Sequence, residues 1–312
     1  MRAVVVGRGG AASLHDVPVP RPRAGEVLVR VTAVGLCGSD VEKLADGTGI
    51  AGSVLGHELA GVVEGGALPI GTRVALAHRV PCGACADCLA GHETCCPQFR
   101  ASGLRPGGFA ERLVAPASHV GTVVLHLPDH VSDVAATFVE PLACVVRALR
   151  HVPRGTCVVA GCGAIGRLAA RALQARGDAV RVLDADPARL LAAADEGFAP
   201  AATNEAIDAA FVTAPGALDA ALALLRPGGT ALVFAATAAP QPVLLDVLYR
   251  NELSMVGSRS ATPDALREAL DLIAGGRVAV ADLVTDVLPL ERFAEGLDRY
   301  RRREALKVVF TP

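Results

Sequence analysis

The sequence contains no tryptophan, and aromatic residues make up only 3% of it. It also lacks an apolar run long enough to cross a bilayer, so we do not expect a membrane protein. Its net charge of -2 provides no basic footprint for nucleic acid. The first residues, Met1 to Val6, lead directly into strand-like sequence and lack the features of an export signal. These absences predict a cytoplasmic protein that binds neither membranes nor nucleic acid.

The composition is that of a globular protein rather than a disordered one, with 52% hydrophobic and 20% charged residues. A chain of 312 residues is long enough for one large domain or two ordinary ones. It contains nine cysteines, and five of them lie between Cys82 and Cys96. Such crowding in a large chain favours thiolate metal ligands in a reducing compartment over disulfides.

The first third of the chain is predicted to be rich in short strands. Residues 26–31 alternate between apolar and polar, and Arg73–Leu76 is a further short apolar run after a turn containing glycine. Several short strands before any long helix indicate a compact, barrel-like domain.

The pattern changes after Pro128 to one typical of a doubly wound α/β sheet. Residues 132–150 are predicted to form one helix, with Ser132 or Asp133 as the N-cap. An apolar strand over Thr156–Ala160, a glycine-rich loop, a helix to about Arg176 and a strand over Ala179–Leu183 then follow. This order of elements is the parallel crossover unit.

Four of the clustered cysteines have the spacing of a zinc site. Short gaps allow a tight loop to direct four thiolates at one ion, and four protein ligands leave no open position. We therefore expect a structural zinc; the adjacent Cys95 is an alternative to the fourth ligand. The predicted ligands are Cys82, Cys85, Cys88 and Cys96.

A second candidate metal site lies in the segment from Gly56 to Gly61. His57 offers an imidazole nitrogen and Glu58 offers a carboxylate oxygen. A histidine followed by a glutamate is a weak pattern alone. It gains weight because Cys37 lies upstream and the cysteine cluster lies downstream.

The glycine-rich loop between strand and helix has the context that a dinucleotide fingerprint requires. Its glycines permit a tight turn and close approach of the pyrophosphate to the helix N-terminus. Asp184 ends the next strand and is suited to bind the adenosine ribose, which favours NAD over NADP. Arg181 would weaken that preference if it neutralised Asp184. The predicted loop contacts are Gly161, Gly163, Ala164, Ile165 and Gly166.

Taken in order, these motifs resemble those of the zinc-dependent medium-chain alcohol dehydrogenase family, in the branch that contains sorbitol and threonine dehydrogenases. The resemblance covers nearly the whole chain. The segments that carry it are Gly25 to Val31, Cys37 to Asp40, Gly56 to Glu58, the four cysteines, Glu140 to Cys144, and the glycine loop.

The resemblance implies an α/β fold with a GroES-like β-barrel catalytic domain over residues 1–131 and a doubly wound Rossmann cofactor domain over residues 132–261. Residues 262–312 are expected to return to the catalytic domain. It also implies a homodimer or homotetramer that transfers a hydride between NAD and a small-molecule alcohol or ketone. The substrate class implied is a polyol, sugar, cyclitol or amino-alcohol.

The same resemblance assigns roles at the catalytic zinc. Cys37 and His57 would be ligands, Glu58 and Glu140 would lie at or beside the metal, and Ser39 would pass on the substrate proton. Because one thiolate and one carboxylate already neutralise Zn²⁺, we do not expect both glutamates to bind it together with substrate. Each chain would then hold one catalytic and one structural zinc. Arg189 matches a basic residue that packs over the adenine.

Two departures from the family leave alternatives open. Many relatives have a histidine five residues after the cysteine ligand, where this chain has Glu42. The stretch between Thr203 and Ala209 is too short for the usual crossover helix. One alternative is a non-catalytic NAD- and zinc-binding protein of the same fold. A zinc-free quinone or enoyl reductase is a weaker alternative, because it would have no use for Cys37, His57 or the clustered cysteines.

Overall fold

The computed structural model describes residues 1–203, 205–237 and 239–312. The chain divides into two compact units. The first unit combines Met1–Pro141 with Thr262–Pro312, and the second contains Leu142–Ala261. None of the helices in the described part of the chain is long and apolar enough to cross a membrane.

The N-terminal part of the first unit is rich in strands, as the sequence predicts. Its strands are β1 (Arg2–Val6), β2 (Ala12–Asp16), β3 (Val27–Gly35), β4 (Glu58–Gly66), β5 (Arg73–Leu76), β6 (Arg112–Ala115) and β7 (Val124–His126). Its helices are α1 (Gly38–Ala45), α2 (Ala86–Leu89), α3 (Pro97–Ala101) and α4 (Asp133–Ala136), and α5 (Val139–Leu149) follows them.

The second unit alternates strands and helices. Its strands are β8 (Thr156–Ala160), β9 (Ala179–Leu183), β10 (Ala199–Pro200), β11 (Ile207–Val212), β12 (Leu225–Val233) and β13 (Ser254–Gly257). Its further helices are α6 (Ala164–Arg176), α7 (Pro187–Asp195), α8 (Leu218–Leu224) and α9 (Leu245–Arg250). The chain then returns to the first unit with α10 (Pro263–Ala274), β14 (Asp286–Pro289), α11 (Phe293–Arg301) and β15 (Val308–Thr311).

The main sheet of the first unit has the strand order β14-β15-β3-β4-β5-β7, and β6 pairs with β3 beside that path. All of its pairs are antiparallel except β14 with β15. In β3, Val27, Val29 and Val31 are buried and Arg30 is exposed, which is the two-residue period of a half-buried strand. β3 therefore lies between β4 on one side and the returning strand β15 on the other.

The core of the first unit joins its N-terminal and C-terminal parts. The centroid of the Phe109 ring lies 5.0 Å from that of Phe293 and 5.8 Å from that of Phe310. Both pairs of rings pack edge to face. Edge-to-face pairs add to the stabilisation that burial alone provides. Residues 293–310 are thus an integral part of this core.

The second unit is a parallel sheet with the order β10-β9-β8-β11-β12-β13. The chain proceeds from β8 outward through β9, then crosses back to β11 and continues to the other edge. The strand order reverses between β8 and β11, and ligands of doubly wound sheets bind beyond the carboxyl ends of the strands at such a point. The glycine loop follows β8 directly and so lies at this position.

The helix predicted over residues 132–150 is wrong as a single element, because the structure divides it into α4 and α5. Ser132 caps α4 as predicted, and its Oγ accepts a hydrogen bond of 3.1 Å from the Ala135 N–H. Thr137 then donates from Oγ1 to the Val134 carbonyl at 2.7 Å, and such a side-chain bond competes with helix continuation. The two compact units divide inside α5, after Pro141.

The short connection before β11 carries no helix in its described residues. Only residues 201–206 separate β10 from β11. Asn204, in the stretch that the sequence predicts to be too short for a crossover helix, lies outside the described residues.

Candidate active site, zinc lobe and nucleotide loop

The register of β3 and β4 brings the candidate ligands of the catalytic metal together. Gly35, the last residue of β3, pairs with Glu58 at the start of β4. His57 immediately precedes that strand, and Cys37 is the N-cap of α1 two residues after β3 ends. One ligand atom from each of Cys37, His57 and Glu58 lies within 4.8 Å of the others. A thiol, an imidazole and a carboxylate fit zinc and leave a fourth position open, as a catalytic site requires.

A buried carboxylate that the sequence assignment missed orients His57. Asp40 is 0% exposed, and its Oδ1 lies 3.3 Å from His57 Nδ1. Burial alone would lower the pKa of His57, but the negative charges of Asp40 and Cys37 raise it well above its ordinary value. The environment thus favours a cation on the imidazole, and with Nδ1 facing Asp40 the free position for a metal is Nε2.

The electrostatics of Asp40 support the same interpretation. Burial acts to raise its pKa, yet the adjacent His57 lowers it below the ordinary value. Its ion pair with His57, at 3.3 Å, is the contact that the described residues offer this buried carboxylate, whose oxygens make no hydrogen bond of good geometry among them. A buried, ionised carboxylate requires a positive neighbour. A zinc-bound imidazole would supply one.

Glu58 is paired with a lysine from the C-terminal segment. Lys307 Nζ contacts Glu58 Oε2 and donates a 3.2 Å hydrogen bond to the Leu36 carbonyl. Lys307 is 4% exposed and Glu58 is 1% exposed. Burial opposes the charge on Lys307, but the attraction of Glu58 raises the pKa of the ammonium group above its ordinary value. Sequence reasoning missed this residue because 249 positions separate the partners.

The other predicted catalytic residues occupy different positions. The Ser39 hydroxyl donates to Cys37 Sγ at 3.4 Å, which places it at the cluster. Glu140 is buried in the first turn of α5, and it is not a member of the group of mutually close ligand atoms. Glu42, at the position of the family's relay histidine, is exposed on α1.

His78, which no sequence motif singles out, lies beside the cluster. Its ring centroid lies 4.7 Å from that of His57. Burial, followed by repulsion from His57, lowers the pKa of His78 well below its ordinary value. His119 is also buried, and its Nε2 lies 3.1 Å from the His78 carbonyl oxygen. No local pattern reveals these contacts.

The four predicted lobe cysteines lie within reach of one ion. Sulfur–sulfur distances are 3.9 Å from Cys82 to Cys88, 3.6 Å from Cys85 to Cys88 and 3.6 Å from Cys82 to Cys96. A tetrahedron with bonds of 2.3 Å has edges of about 3.8 Å, so the sulfurs fit Zn²⁺ closely. Cys95 is exposed and lies outside this group.

Backbone amides favour the thiolate form of two of the lobe cysteines, Cys82 and Cys96. The Cys82 N–H points at Cys96 Sγ and lowers the pKa of Cys96 to about 6. Amides of Ala84 and Cys85 point at Cys82 Sγ and lower its pKa as well. Because α2 has no buried residue, apolar packing contributes little to this helix. The lobe residues fit a closed structural zinc site.

The predicted nucleotide loop is connected to the next strand by hydrogen bonds. The Gly161 N–H donates to the Leu183 carbonyl at 2.7 Å, and the Cys162 N–H donates to Asp184 Oδ2 at 2.6 Å. A Cβ on Gly166 would lie 1.7 Å from the Gly161 carbonyl oxygen, so only glycine permits this approach of loop and helix. Gly163 is the N-cap of α6, which starts with Ala164 and Ile165. The amides of this first turn are available to an anionic ligand.

Asp184, which the sequence predicts to bind the ribose, directly follows β9. Asp184 Oδ1 accepts a 2.8 Å hydrogen bond from the Asp186 N–H, and each carboxylate oxygen keeps a further lone pair. Arg181 pairs instead with Glu205, with Nε 2.8 Å from Oε2. Arg189 lies close to the loop. If Gly163 carried a Cβ, that atom would be 3.9 Å from the Arg189 guanidinium.

Comparison with known proteins identifies the family. Residues 23–129 match the alcohol dehydrogenase GroES-like domain, and residues 157–239 match the TrkA-N domain. The chain is 34% identical to D-altritol 5-dehydrogenase of Agrobacterium fabrum over 93% of each chain. The chain belongs to the zinc-dependent medium-chain alcohol dehydrogenase family. This family consists of oxidoreductases that act on CH–OH groups.

Other members extend the match over the full length of this dehydrogenase. Sorbitol dehydrogenase of Bacillus subtilis is 29% identical over 100% of this chain and 97% of its own. Among solved structures, the alcohol dehydrogenase TADH from Thermus sp. ATN1 is 28% identical, with a TM-score of 0.88 over 100% of this chain and 99% of its own. The predicted fold, a GroES-like domain and a Rossmann-type parallel sheet, is confirmed.

Proposed function

We propose that the protein is an NAD-dependent zinc dehydrogenase that oxidises a secondary alcohol of a polyol or sugar, or reduces the corresponding ketone. The observation that carries this proposal is the cluster of Cys37, His57 and Glu58 at the end of β3. Its three ligand atoms suit a metal with an open position for a hydroxyl or carbonyl oxygen. The names of two similar proteins, D-altritol 5-dehydrogenase and sorbitol dehydrogenase, support a polyhydroxylated substrate.

Cys37 and His57 would hold the metal, and Asp40 would keep the His57 ring oriented with Nε2 free. When bound, zinc supplies Lewis acidity that makes a hydroxyl proton easier to lose. Ser39 is placed to accept that proton, since its hydroxyl lies at the cluster. Glu140 is proposed to lie near the metal, with Glu58 and Glu140 not bound to it together when substrate is bound.

We propose NAD rather than NADP as the hydride acceptor. Asp184 would accept hydrogen bonds from the adenosine ribose, and its charge would repel a 2′-phosphate by about 1–4 kcal/mol at roughly 4 Å. Arg181 is paired with Glu205 and so does not cancel that charge. Asp184→Asn should therefore reduce the ratio of kcat/KM for NAD to that for NADP by about tenfold or more. An unchanged ratio would contradict this role of Asp184.

The proposal is tested by an NAD⁺ reduction screen over polyols, cyclitols and amino-alcohols, combined with zinc analysis. We expect turnover with at least one polyol and two zinc ions per chain. Cys37→Ser should bind one zinc and lose turnover, whereas the exposed Cys95→Ser should behave like the parent protein. If the parent binds NADH and two zincs but reduces no ketone and oxidises no alcohol, the non-catalytic alternative replaces this proposal. If Cys37→Ser retains turnover after its zinc is lost, the catalytic assignment is wrong.

We further propose that the protein is a homodimer or homotetramer. β13 is the last strand of the parallel sheet, and its Met255 side chain is 44% exposed. An accessible strand edge with an exposed apolar side chain is suited to pairing with a second copy. Light scattering after size-exclusion chromatography measures the assembly, and a monomer at micromolar concentration would contradict this proposal.

A further inference from the structure

The pair formed by Lys307 and Glu58 has no role in the proposed reaction as described above. Buried ion pairs lose much solvation energy, so an unneeded one is costly to retain. Both side chains are almost completely buried, and the ammonium group also bonds the Leu36 carbonyl and lies 5.5 Å from the Phe138 ring centroid. The partners are therefore fixed from several directions.

The backbone makes room for this pair. A Cβ on Gly35 would lie 2.3 Å from Glu58 Oε2 and 3.0 Å from Lys307 Cε. A real Cβ does not approach an atom this closely, so a larger residue at the end of β3 would force the Glu58 carboxylate and its ion pair to shift. Strand register adds to the arrangement, because Gly35 pairs with Glu58 in β4 and with Val309 in β15, two residues after Lys307.

We infer that Lys307 is a positioning residue that competes with the catalytic metal for the Glu58 carboxylate. Glu58 has one oxygen within 4.8 Å of the Cys37 and His57 ligand atoms, and its Oε2 is in contact with Lys307. Lys307 would thereby withdraw negative charge from the metal and weaken the hold of Glu58 on it, which would leave the metal more open to substrate. This inference rests on the proposed function, because it assumes a metal at Cys37 and His57.

Charge determines the direction of the effect. Zn²⁺ is neutralised by the Cys37 thiolate together with one free carboxylate, and the ammonium group cancels that carboxylate. Removing the ammonium group frees Glu58 to bind the metal fully. A pair that only stabilises the fold would have the opposite effect or none, because losing it would disorder a ligand and weaken metal binding.

Zinc is first removed from the catalytic site and retained in the lobe. The affinity of the emptied catalytic site for Co²⁺ is then measured from the charge-transfer absorption between thiolate and cobalt. Subtracting the titration of Cys37→Ser assigns the signal to the catalytic site. Lys307→Met should bind Co²⁺ about tenfold more tightly than the parent, or tighter still. Lys307→Arg keeps the charge and should remain within about threefold of the parent.

A double-mutant cycle separates this role from a structural one. Glu58→Gln/Lys307→Met should bind Co²⁺ with the affinity of Glu58→Gln alone, because the lysine acts only through the carboxylate. This double variant leaves no unpaired charge, so it also keeps the test possible if Lys307→Met does not fold. Unchanged or weaker binding by a folded Lys307→Met would overturn the inference. So would a difference between the double variant and Glu58→Gln.

Failure of the proposed function is recognisable separately. If the parent protein gives no cobalt absorption that Cys37→Ser removes, the metal site itself is absent and the proposed function fails. If the parent gives that absorption while Lys307→Met leaves affinity unchanged, only the inference about Lys307 is wrong.

Discussion

At the candidate active site, two of the three candidate ligands have a charged residue behind them. Asp40 lies behind His57, and Lys307 lies behind Glu58. The two supporting residues carry opposite charges. Asp40 favours a cation on His57, whereas Lys307 reduces the negative charge that Glu58 presents. The supporting residues thus set the charge at the metal position as much as the ligands do.

Replacing Asp40 by Asn should weaken metal binding at the catalytic site. The variant removes the charge that favours a cation on His57 and leaves a buried amide beside the ring. We expect about 10–100-fold lower metal affinity, with the lobe zinc retained. Cobalt titration measures the effect, and Asp46→Asn, an exposed change at the end of α1, is the matched control. Equal affinities for both variants would show that Asp40 does not support the ligand.

The Glu26 side chain predicts a pH dependence of stability in the first unit. It accepts hydrogen bonds from Arg105 at 2.9 and 2.6 Å and from the Arg23 N–H at 2.8 Å. The bonds from Arg105 and Arg23 lower the pKa of Glu26 from 4.5 to about 2. Because the folded pKa is the lower one, the stabilisation is complete above about pH 4.5 and is lost as the pH falls towards 2.

Glu26→Gln should therefore lower the Tm by a few degrees at pH 7, and its difference from the parent should shrink below about pH 4.5. Scanning calorimetry at pH 7, 5 and 4 measures this difference, and effects of pH on the zinc sites cancel because both proteins contain them. Glu304→Gln removes an exposed charge and serves as the control. A Tm difference that does not vary with pH would contradict the assignment.

At the scale of elements, β3 organises the first unit. Strands β4, β6 and β15 pair with β3, and helix α1 starts three residues after β3 ends. The candidate ligands come from the loops and strand starts at its carboxyl end. A small change in β3 is thus expected to affect the site as well as the sheet.

Gly35→Ala should disturb both metal binding and stability. The new methyl group would lie 2.3 Å from Glu58 Oε2, so the pair with Lys307 must move. Overpacking of this kind costs about 1–3 kcal/mol in the free energy of unfolding. Gly65→Ala is the matched control, because it lies in β4 with no atom within 4 Å of the added Cβ.

Urea unfolding and metal analysis measure both glycine variants. We expect Gly35→Ala to lose stability and catalytic-site metal and Gly65→Ala to keep both. Equal loss in the two variants would show that alanine is generally unfavourable in this sheet. Close packing against Glu58 would then not be the cause.

At the scale of the whole molecule, each compact unit has its own hydrophobic core. The core of the first unit contains the phenylalanine cluster and β3. That of the second is built from residues of the parallel sheet and α8, including Val158, Ala210 and Leu222. The two metal clusters belong to the first unit, and the nucleotide loop belongs to the second.

Metal removal should therefore separate turnover from nucleotide binding. A competing chelator is expected to remove metal from the three-ligand site before the four-thiolate lobe, because the open site exchanges faster. Turnover should fall by about a hundredfold or more. NADH affinity should change by less than about tenfold, since Asp184 and the loop remain intact.

Zinc analysis, NADH titration and turnover on the same samples test this order of events. Restoring one zinc per chain should restore turnover. If NADH binding is lost together with the first zinc, the nucleotide site depends on the metal site. If the lobe loses its zinc first, the distinction between closed and open sites is wrong.

The sequence determined those features whose signals are local. The strand Thr156–Ala160, the helix that ends at Arg176 and the strand Ala179–Leu183 have the bounds that the sequence predicts, because glycine and apolar periodicity mark them. The lobe cysteines are also brought together as predicted, since all four lie on one short loop whose spacing limits where the sulfurs can point. The prediction of one helix over residues 132–150 is wrong because the side chain of Thr137 bonds the Val134 carbonyl and competes with continuation of the helix.

Only the tertiary structure decided the surroundings of the candidate metal site. Asp40 is visible in the motif that begins at Cys37, but its contact with His57 depends on how the fold brings α1 and the residue before β4 together. No local pattern singles out Lys307 or His78. Pairing between strands that are distant in the sequence places Lys307 beside Glu58 and His78 beside His57. Ligand identity follows from residue type and spacing, whereas the charge at the ligands follows from which distant residues the folded sheet brings within a few ångströms.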